Sequence, residues 1–267
     1  MTEEIPLVTQ PDTASHARAI AEQGFTYFPD ELNSEEISEL RSAMDRLTAK
    51  PESFDKLPDP VDHGFMEKSI NNAFNRDPVF AKYLDREGII DVAEAVHGED
   101  CHCIGMTAWV TGPGRPDQTL HADFQPLTLP EDIMADERVQ IPVFISTLHF
   151  YLDDLHPELG PTNFVPGSHR AGRPPKSDEI NWQGKQEQSI LCNAGDAVLF
   201  RSEVWHRGTA NTSGQTRYLL QVHYAKRIIT QKFPPYLYQF SFDEELTKNA
   251  SPRQLRLLGD HRPSNYD

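Results

Sequence analysis

Gly195-Asp-Ala-Val-Leu-Phe-Arg-Ser-Glu-Val-Trp-His206 and Arg217-Tyr-Leu-Leu-Gln-Val-His-Tyr224 are two apolar runs joined by the turn-forming stretch Ala210-Asn-Thr-Ser-Gly-Gln215. The first opens on Gly-Asp and is rich in β-favouring residues, so it reads as a short buried strand ending near a histidine. The second alternates, which places Arg217 and His223 on one strand face. Around this pair the chain from Cys103 onward breaks into short β-like runs at 103–111, 119–124, 141–152, 162–165, 189–191, 197–201 and 217–226, separated by Gly, Pro, Asn and Asp. Many short strands at regular spacing indicate a sandwich or barrel.

The first hundred residues read differently. Thr13 is placed to cap a helix over Ala14–Gln23, Phe25–Phe28 reads as a short strand, and Asn33 or Ser34 caps a second helix whose apolar stripe is Ile37, Leu40, Met44 and Leu47. Residues 51–76, rich in Pro, Asp and Asn, read as a loop, and two short helices follow, the second with Ile89, Ile90, Ala93 and Val96 on its apolar face. The tail from 231 begins aromatic, with Phe233, Tyr236, Tyr238, Phe240 and Phe242, and turns helical at the cap pair Ser251-Pro252. The expectation is a single domain over 1–267, with a helical part to about residue 100, a β core over about 101–227 and an extension over 228–267.

The composition narrows the function. A formal charge of −16 opposes binding to nucleic acid, whose phosphates need clustered cations. No apolar run is long enough to span a membrane, and the start Met-Thr-Glu-Glu-Ile-Pro has no secretory character, so the expectation is a cytoplasmic protein. Cys101 and Cys103 form a C-x-C, but they head an apolar strand and read as packing residues.

The chemistry is carried by three residues. His121-Ala-Asp123 lies at a predicted strand end, where alternate side chains share a face, and His206 ends another strand. Two imidazoles and one carboxylate on one face of an octahedron leave three cis positions open. That set suits Fe(II), which can then take a bidentate 2-oxo acid and O2 side by side. Arg217, eleven residues after His206, adds a guanidinium able to grip the far carboxylate of 2-oxoglutarate through paired charge-assisted hydrogen bonds.

Together with Gly160-Pro-Thr-Asn-Phe-Val-Pro-Gly-Ser-His169-Arg, these segments resemble the phytanoyl-CoA dioxygenase family of Fe(II)/2-oxoglutarate-dependent oxygenases, over roughly residues 15–227. The resemblance implies a mainly β fold, a cupin-like double-stranded β-helix or jelly roll with N-terminal and flanking helices. It implies His121, Asp123 and His206 as metal ligands and catalytic centre, and 2-oxoglutarate held by Arg217. Gln118 matches a glutamine that some relatives use on the oxo acid, Thr107 lies in the preceding strand, and His149 falls where relatives place a large side chain facing the iron. The implied reaction oxidises a small-molecule substrate with O2 and releases succinate and CO2, ascorbate serving as a supporting reductant. A carboxylate at 123 argues against halogenation, since related halogenases carry a small residue there.

The alternatives are a peptide side-chain hydroxylase and a cupin-like metal protein without oxygenase activity, or one using Zn or Mn for hydrolysis. Arg217 speaks against the latter. Residues 63–75, including Phe65, Asn71, Asn72 and Phe74, and the connection 124–140 are candidates for a lid. His169 reads as a structural hydrogen-bonding residue, and His223 as a core histidine able to line the pocket.

Overall fold

A computed structural model describes residues 12–49, 61–62, 66–136, 138–233 and 240–263. Its main element is a seven-stranded antiparallel sheet in the order β1-β10-β5-β12-β4-β3-β2. These strands are β1 (Phe25–Phe28), β2 (Val61–Asp62), β3 (Glu67–Asn71), β4 (His102–Thr111), β5 (Ile145–Tyr151), β10 (Ala197–Arg201) and β12 (Arg217–Ala225). A second sheet, β11-β6-β9, comprises β6 (Thr162–Phe164), β9 (Gln188–Ser189) and β11 (His206–Gly208), while β7 (Asn181–Trp182) and β8 (Lys185–Gln186) form a small hairpin.

Side-chain alternation divides the main sheet into two faces. On β12, Tyr218, Leu220, Val222 and Tyr224 point into the larger core, where they meet Leu148 and Phe150 of β5. The helices cover this side. α1 (Thr13–Glu22), α2 (Ser34–Thr48), α3 (Pro78–Ala81) and α4 (Ile89–His97) contribute Ile20, Leu40, Met44, Phe80 and Ile90 to the same cluster. Each such fully buried side chain contributes about 1.5–3 kcal/mol relative to exposure. On the opposite face, Phe164 of the second sheet stacks on Phe25 at 4.9 Å and meets Phe200 edge-on at 5.0 Å, joining the two sheets.

Local signals account for most element ends. Asn33 caps α2 within a capping box completed by Glu36, and Ser251 does the same with Gln254 for the helix Pro252–Leu257. The cap of α1 is Asp12, whose carboxylate accepts from Ser15 N at 2.6 Å; Thr13 is already helical. Gly195 has a φ of +102°, and a Cβ there would stand 2.4 Å from Leu32 O, so the Gly-Asp turn into β10 requires glycine. Residues 67–71, expected within a loop, form β3 against β4. Residues 119–124, expected as a strand, make only one bridge, His121 with His206. They run beside β11 through Gln118 N–Gly208 O, the His121–His206 pair and Asp123 N–Ser202 O, contacts whose spacing is too irregular for a ladder. Of the remaining lid and tail candidates, Phe65, Tyr236 and Tyr238 lie outside the described residues.

Arg201 and Glu203 form a nearly solvent-free ion pair at 3.1 Å at the end of β10, with side-chain exposures of 1% and 2%. Glu203→Gln leaves the guanidinium buried without its counter-charge, and we expect a loss of about 3–5 kcal/mol in urea unfolding. A change below about 1 kcal/mol would show that the charge is compensated elsewhere.

Candidate active site

The faces of β4, β5 and β12 turned away from the helices open onto a cavity of about 910 Å³. Alternation puts Arg217, Leu219, Gln221 and His223 of β12 into it, with Thr147 and His149 of β5 and Thr107 and Trp109 of β4. The segment 118–124 and the start of β11 close one end, bringing His121, Asp123 and His206 together with potential ligand atoms all within 4.8 Å of one another.

The two imidazoles have defined proton positions. His121 Nδ1 lies 2.8 Å from Thr119 O and His206 Nδ1 lies 2.9 Å from Val204 O. A carbonyl only accepts, so both Nδ1 atoms carry hydrogen and both Nε2 atoms offer lone pairs. Those Nε2 atoms face Asp123 Oδ1 at 3.5 and 3.6 Å. With both rings neutral, three acceptors converge, an arrangement that a metal ion, or a proton on His121 Nε2, relieves. Desolvation works to raise the Asp123 pKa, but the imidazoles of His206, His121 and His223 overcome it and hold the carboxyl well below the usual range. The Asp123 carboxylate raises the pKa of His121, whereas burial lowers that of His206.

Arg217 is buried at the edge of the same cavity. One guanidinium nitrogen donates to Gly160 O, while Nε has no partner. No carboxylate pairs with it among the described residues, and burial lowers its pKa. Gly160 itself has a φ of +77°, and a Cβ would lie 2.7 Å from Thr209 O, so the turn that presents its carbonyl needs glycine.

A directed chain of hydrogen bonds crosses the cavity floor. Trp109 Nε1 donates to Gln221 Oε1 at 2.6 Å, which leaves the Gln221 NH₂ to donate to His149 Nε2 at 2.7 Å. His149 is therefore protonated on Nδ1 and donates to the Tyr151 hydroxyl at 3.2 Å, and that hydroxyl donates to Thr162 Oγ1 at 3.1 Å. Burial keeps His149 neutral, with its pKa well below the ordinary imidazole value.

All seven sequence-predicted site residues line this cavity. Gln118 Oε1 accepts from Gly208 N at 2.8 Å, so the side chain also fixes the start of its loop. His223 lines the cavity too and bonds Thr147 Oγ1 at 3.1 Å, in place of the core position that was favoured for it. His169 is buried with Nε2 3.1 Å from Ala21 O, a structural contact as expected. Of the lid candidates, Asn71 and Phe124 reach the cavity, whereas Phe74 is buried in the core against Phe233. Sequence reasoning missed Glu67 and Arg115, whose ion pair at 3.2 Å lines the wall, and Lys232 at the mouth. Strand parity would have added Gln221 and Trp109, two positions from Leu219 and Thr107.

Comparison with known proteins places the chain in a family. The family model described as phytanoyl-CoA dioxygenase (PhyH) matches residues 20–219. The chain belongs to the phytanoyl-CoA dioxygenase family. Two uncharacterised proteins, from Mycobacterium bovis and Mycobacterium tuberculosis, are each 26% identical to this family member over 110 residues, 41% of its chain. The match spans only 38% of the length of those curated relatives. Among solved structures, HygX from Streptomyces hygroscopicus, with nickel, 2-oxoglutarate and hygromycin B bound, superposes with a TM-score of 0.65 at 19% identity, covering 81% of this chain and 88% of its own. The epimerase SnoN in complex with Fe3+, alpha ketoglutarate and nogalamycin RO gives 0.63 at 18% identity, over 80% and 83% of the two chains. The shared fold is of the jelly-roll type, mainly antiparallel β with flanking helices. Among the described residues, no helix is long and apolar enough to cross a membrane.

The proton positions make metal affinity pH-dependent. Because the His121 pKa is raised, protons compete with a metal from above the ordinary imidazole value of 6.5. Calorimetric titration with Ni(II) should show affinity falling steadily from about pH 8 to about pH 6. His206→Ala should cost more than the roughly 10–100-fold of a lost supporting hydrogen bond. A pH-independent affinity, or unchanged binding by His206→Ala, would place the metal elsewhere.

Proposed function

We propose that this phytanoyl-CoA dioxygenase family member is an Fe(II)- and 2-oxoglutarate-dependent dioxygenase that oxidises a small-molecule substrate, with His121, Asp123 and His206 as the metal ligands. The observation that carries the reading is Arg217, a buried guanidinium with an unpartnered Nε and no carboxylate partner among the described residues, facing the same cavity as the triad. A buried cation without a counter-charge is costly, and the distal carboxylate of 2-oxoglutarate supplies one. A hydrolytic metal site has no need of it.

The residues present fit the metal. Two lone-pair nitrogens and a carboxylate form the donor set of non-haem Fe(II) oxygenases and leave positions for a 2-oxo acid and O2. When bound, Fe(II) would let O2 serve as the oxidant, with 2-oxoglutarate giving up two electrons as it is decarboxylated to succinate and CO2 and the remaining oxidising power going to the substrate. The protein's own part is positional. The Thr119 and Val204 carbonyls hold both imidazoles in the Nε2-ligating tautomer. Arg217 orients the cosubstrate, with Gln118, Thr107 and the ring of His149 as further contacts, and the chain from Trp109 occupies both His149 nitrogens and so holds that ring in place. The cavity volume of about 910 Å³ lies in the small-molecule range and favours a metabolite over a protein side chain. Asp123 leaves no vacancy for halide, so the outcome is oxidation without halogen transfer.

Incubation with Fe(II), ascorbate and 2-oxoglutarate should release succinate. Arg217→Ala should weaken 2-oxoglutarate binding by about tenfold or more, as expected for a lost charge-assisted hydrogen bond, while leaving Ni(II) affinity intact. Absence of 2-oxoglutarate binding by calorimetry would reject the oxygenase reading, and equal loss of metal by Arg217→Ala would reject the division of roles.

A further inference from the structure

Where the cavity meets solvent, strand β4 carries a bulge. Val222 pairs with Met106 and His223 with Gly105, but Tyr224 pairs with Cys103, so Ile104 has no partner on β12. The extra residue turns the Ile104 side chain into the cavity, beside Ile145 and Ile229. Its carbonyl accepts from Lys232 N at 2.8 Å, which fixes the segment after β12 across the mouth. Gly105 offers no side chain, and the Lys232 stem occupies the space. A Cβ at Gly105 would lie 3.5 Å from Lys232 Cδ and 3.8 Å from His223 Cδ2.

The charges around the cavity are matched with one exception. Arg115 is neutralised by Glu67 at 3.2 Å. In the loaded enzyme, the metal and Arg217 are balanced by Asp123 and the two carboxylates of 2-oxoglutarate. Lys232 has no ion pair or side-chain hydrogen bond among the described residues. Apolar side chains flank it, the Ile104, Ile145 and Ile229 cluster on one side and the exposed Phe124 and Ile228 at the same mouth, while His223 lies inward of it and the field of the Asp123 carboxylate reaches it without an ion pair. In a chain of net charge −16, this is a local cation placed against an acidic background.

We propose that the primary substrate is an amphiphilic anion, with a carboxylate, phosphate or sulfonate on Lys232 and an apolar body along Ile104, Ile145 and Ile229. This rests on the oxygenase reading, because only bound 2-oxoglutarate satisfies Arg217 and leaves Lys232 as the uncommitted cation. The His223 side of the cavity then receives the substrate, and the Arg217 side the cosubstrate. Specificity comes from the pairing of charge and apolar length.

The test uses the full chain loaded with Ni(II) and saturating 2-oxoglutarate, titrated in a calorimeter with hexanoate, hexyl phosphate, hexanesulfonate, hexylamine and hexanol. At least one anion should bind about tenfold or more tightly than hexylamine and hexanol. Lys232→Met should lose that preference and Lys232→Arg should keep it to within a few-fold, with 2-oxoglutarate affinity the same in both variants as in the parent. Equal binding of hexanol, tighter binding of hexylamine, an unchanged preference in Lys232→Met, or no binding by any of the anions overturns the assignment. Failure of 2-oxoglutarate to bind the Ni(II) protein sinks the oxygenase reading, whereas normal 2-oxoglutarate binding without anion preference sinks the role of Lys232 alone.

Discussion

The two-residue period of β12 is the constraint on which the rest depends. One strand, flanked by β5 and β4 at the centre of the sheet, must satisfy a helix-covered core with Tyr218, Leu220, Val222 and Tyr224 while offering Arg217, Leu219, Gln221 and His223 to the opposite face. A slip of one residue would exchange the two sets, burying a guanidinium and two polar side chains in the core. The hydrophobic demand of the helices therefore holds the polar face in register. Site geometry and fold stability are coupled through a single strand.

Electrostatics at the two ends of the cavity follow one logic, in which groups of like character are brought together and left incomplete. His121, Asp123 and His206 present three acceptors to one another, and Arg217 presents donors without an acceptor of opposite charge. Both arrangements are unfavourable alone, and the buried pair Arg201–Glu203 marks the contrast, since there the charge is matched within the chain. The surrounding fold stabilises the incomplete sites through carbonyls that fix tautomers and a glycine turn that seats the guanidinium. Each is an arrangement that a ligand of opposite charge would complete.

Much of this was legible in the sequence because its signals are local. His121, Asp123, His206 and Arg217 sit in strand ends and turns with their own chemical signature, and the caps at Asn33 and Ser251 are read from side chains three residues apart. Other features depend on register between distant segments. β3 carries Glu67 and Lys68 in place of an apolar alternation, and only its pairing with β4 makes it a strand and brings Glu67 to Arg115. Residues 119–124 have strand composition, yet irregular contacts with β11 deny them a ladder. Lys232 lies in a stretch without motif, and a bulge more than a hundred residues earlier determines its place.

The chain from Trp109 to Thr162 has one further property. An indole nitrogen gives a hydrogen and takes none, so the element at the head of the row admits a single reading direction for every amide, imidazole and hydroxyl behind it. None of its members changes charge near neutrality, because burial pushes the His149 pKa down and that of Tyr151 up. The row thus behaves like a compass needle with a fixed pole: its polarity is set by residue type, and near neutral pH it points the same way whatever the protonation of His121.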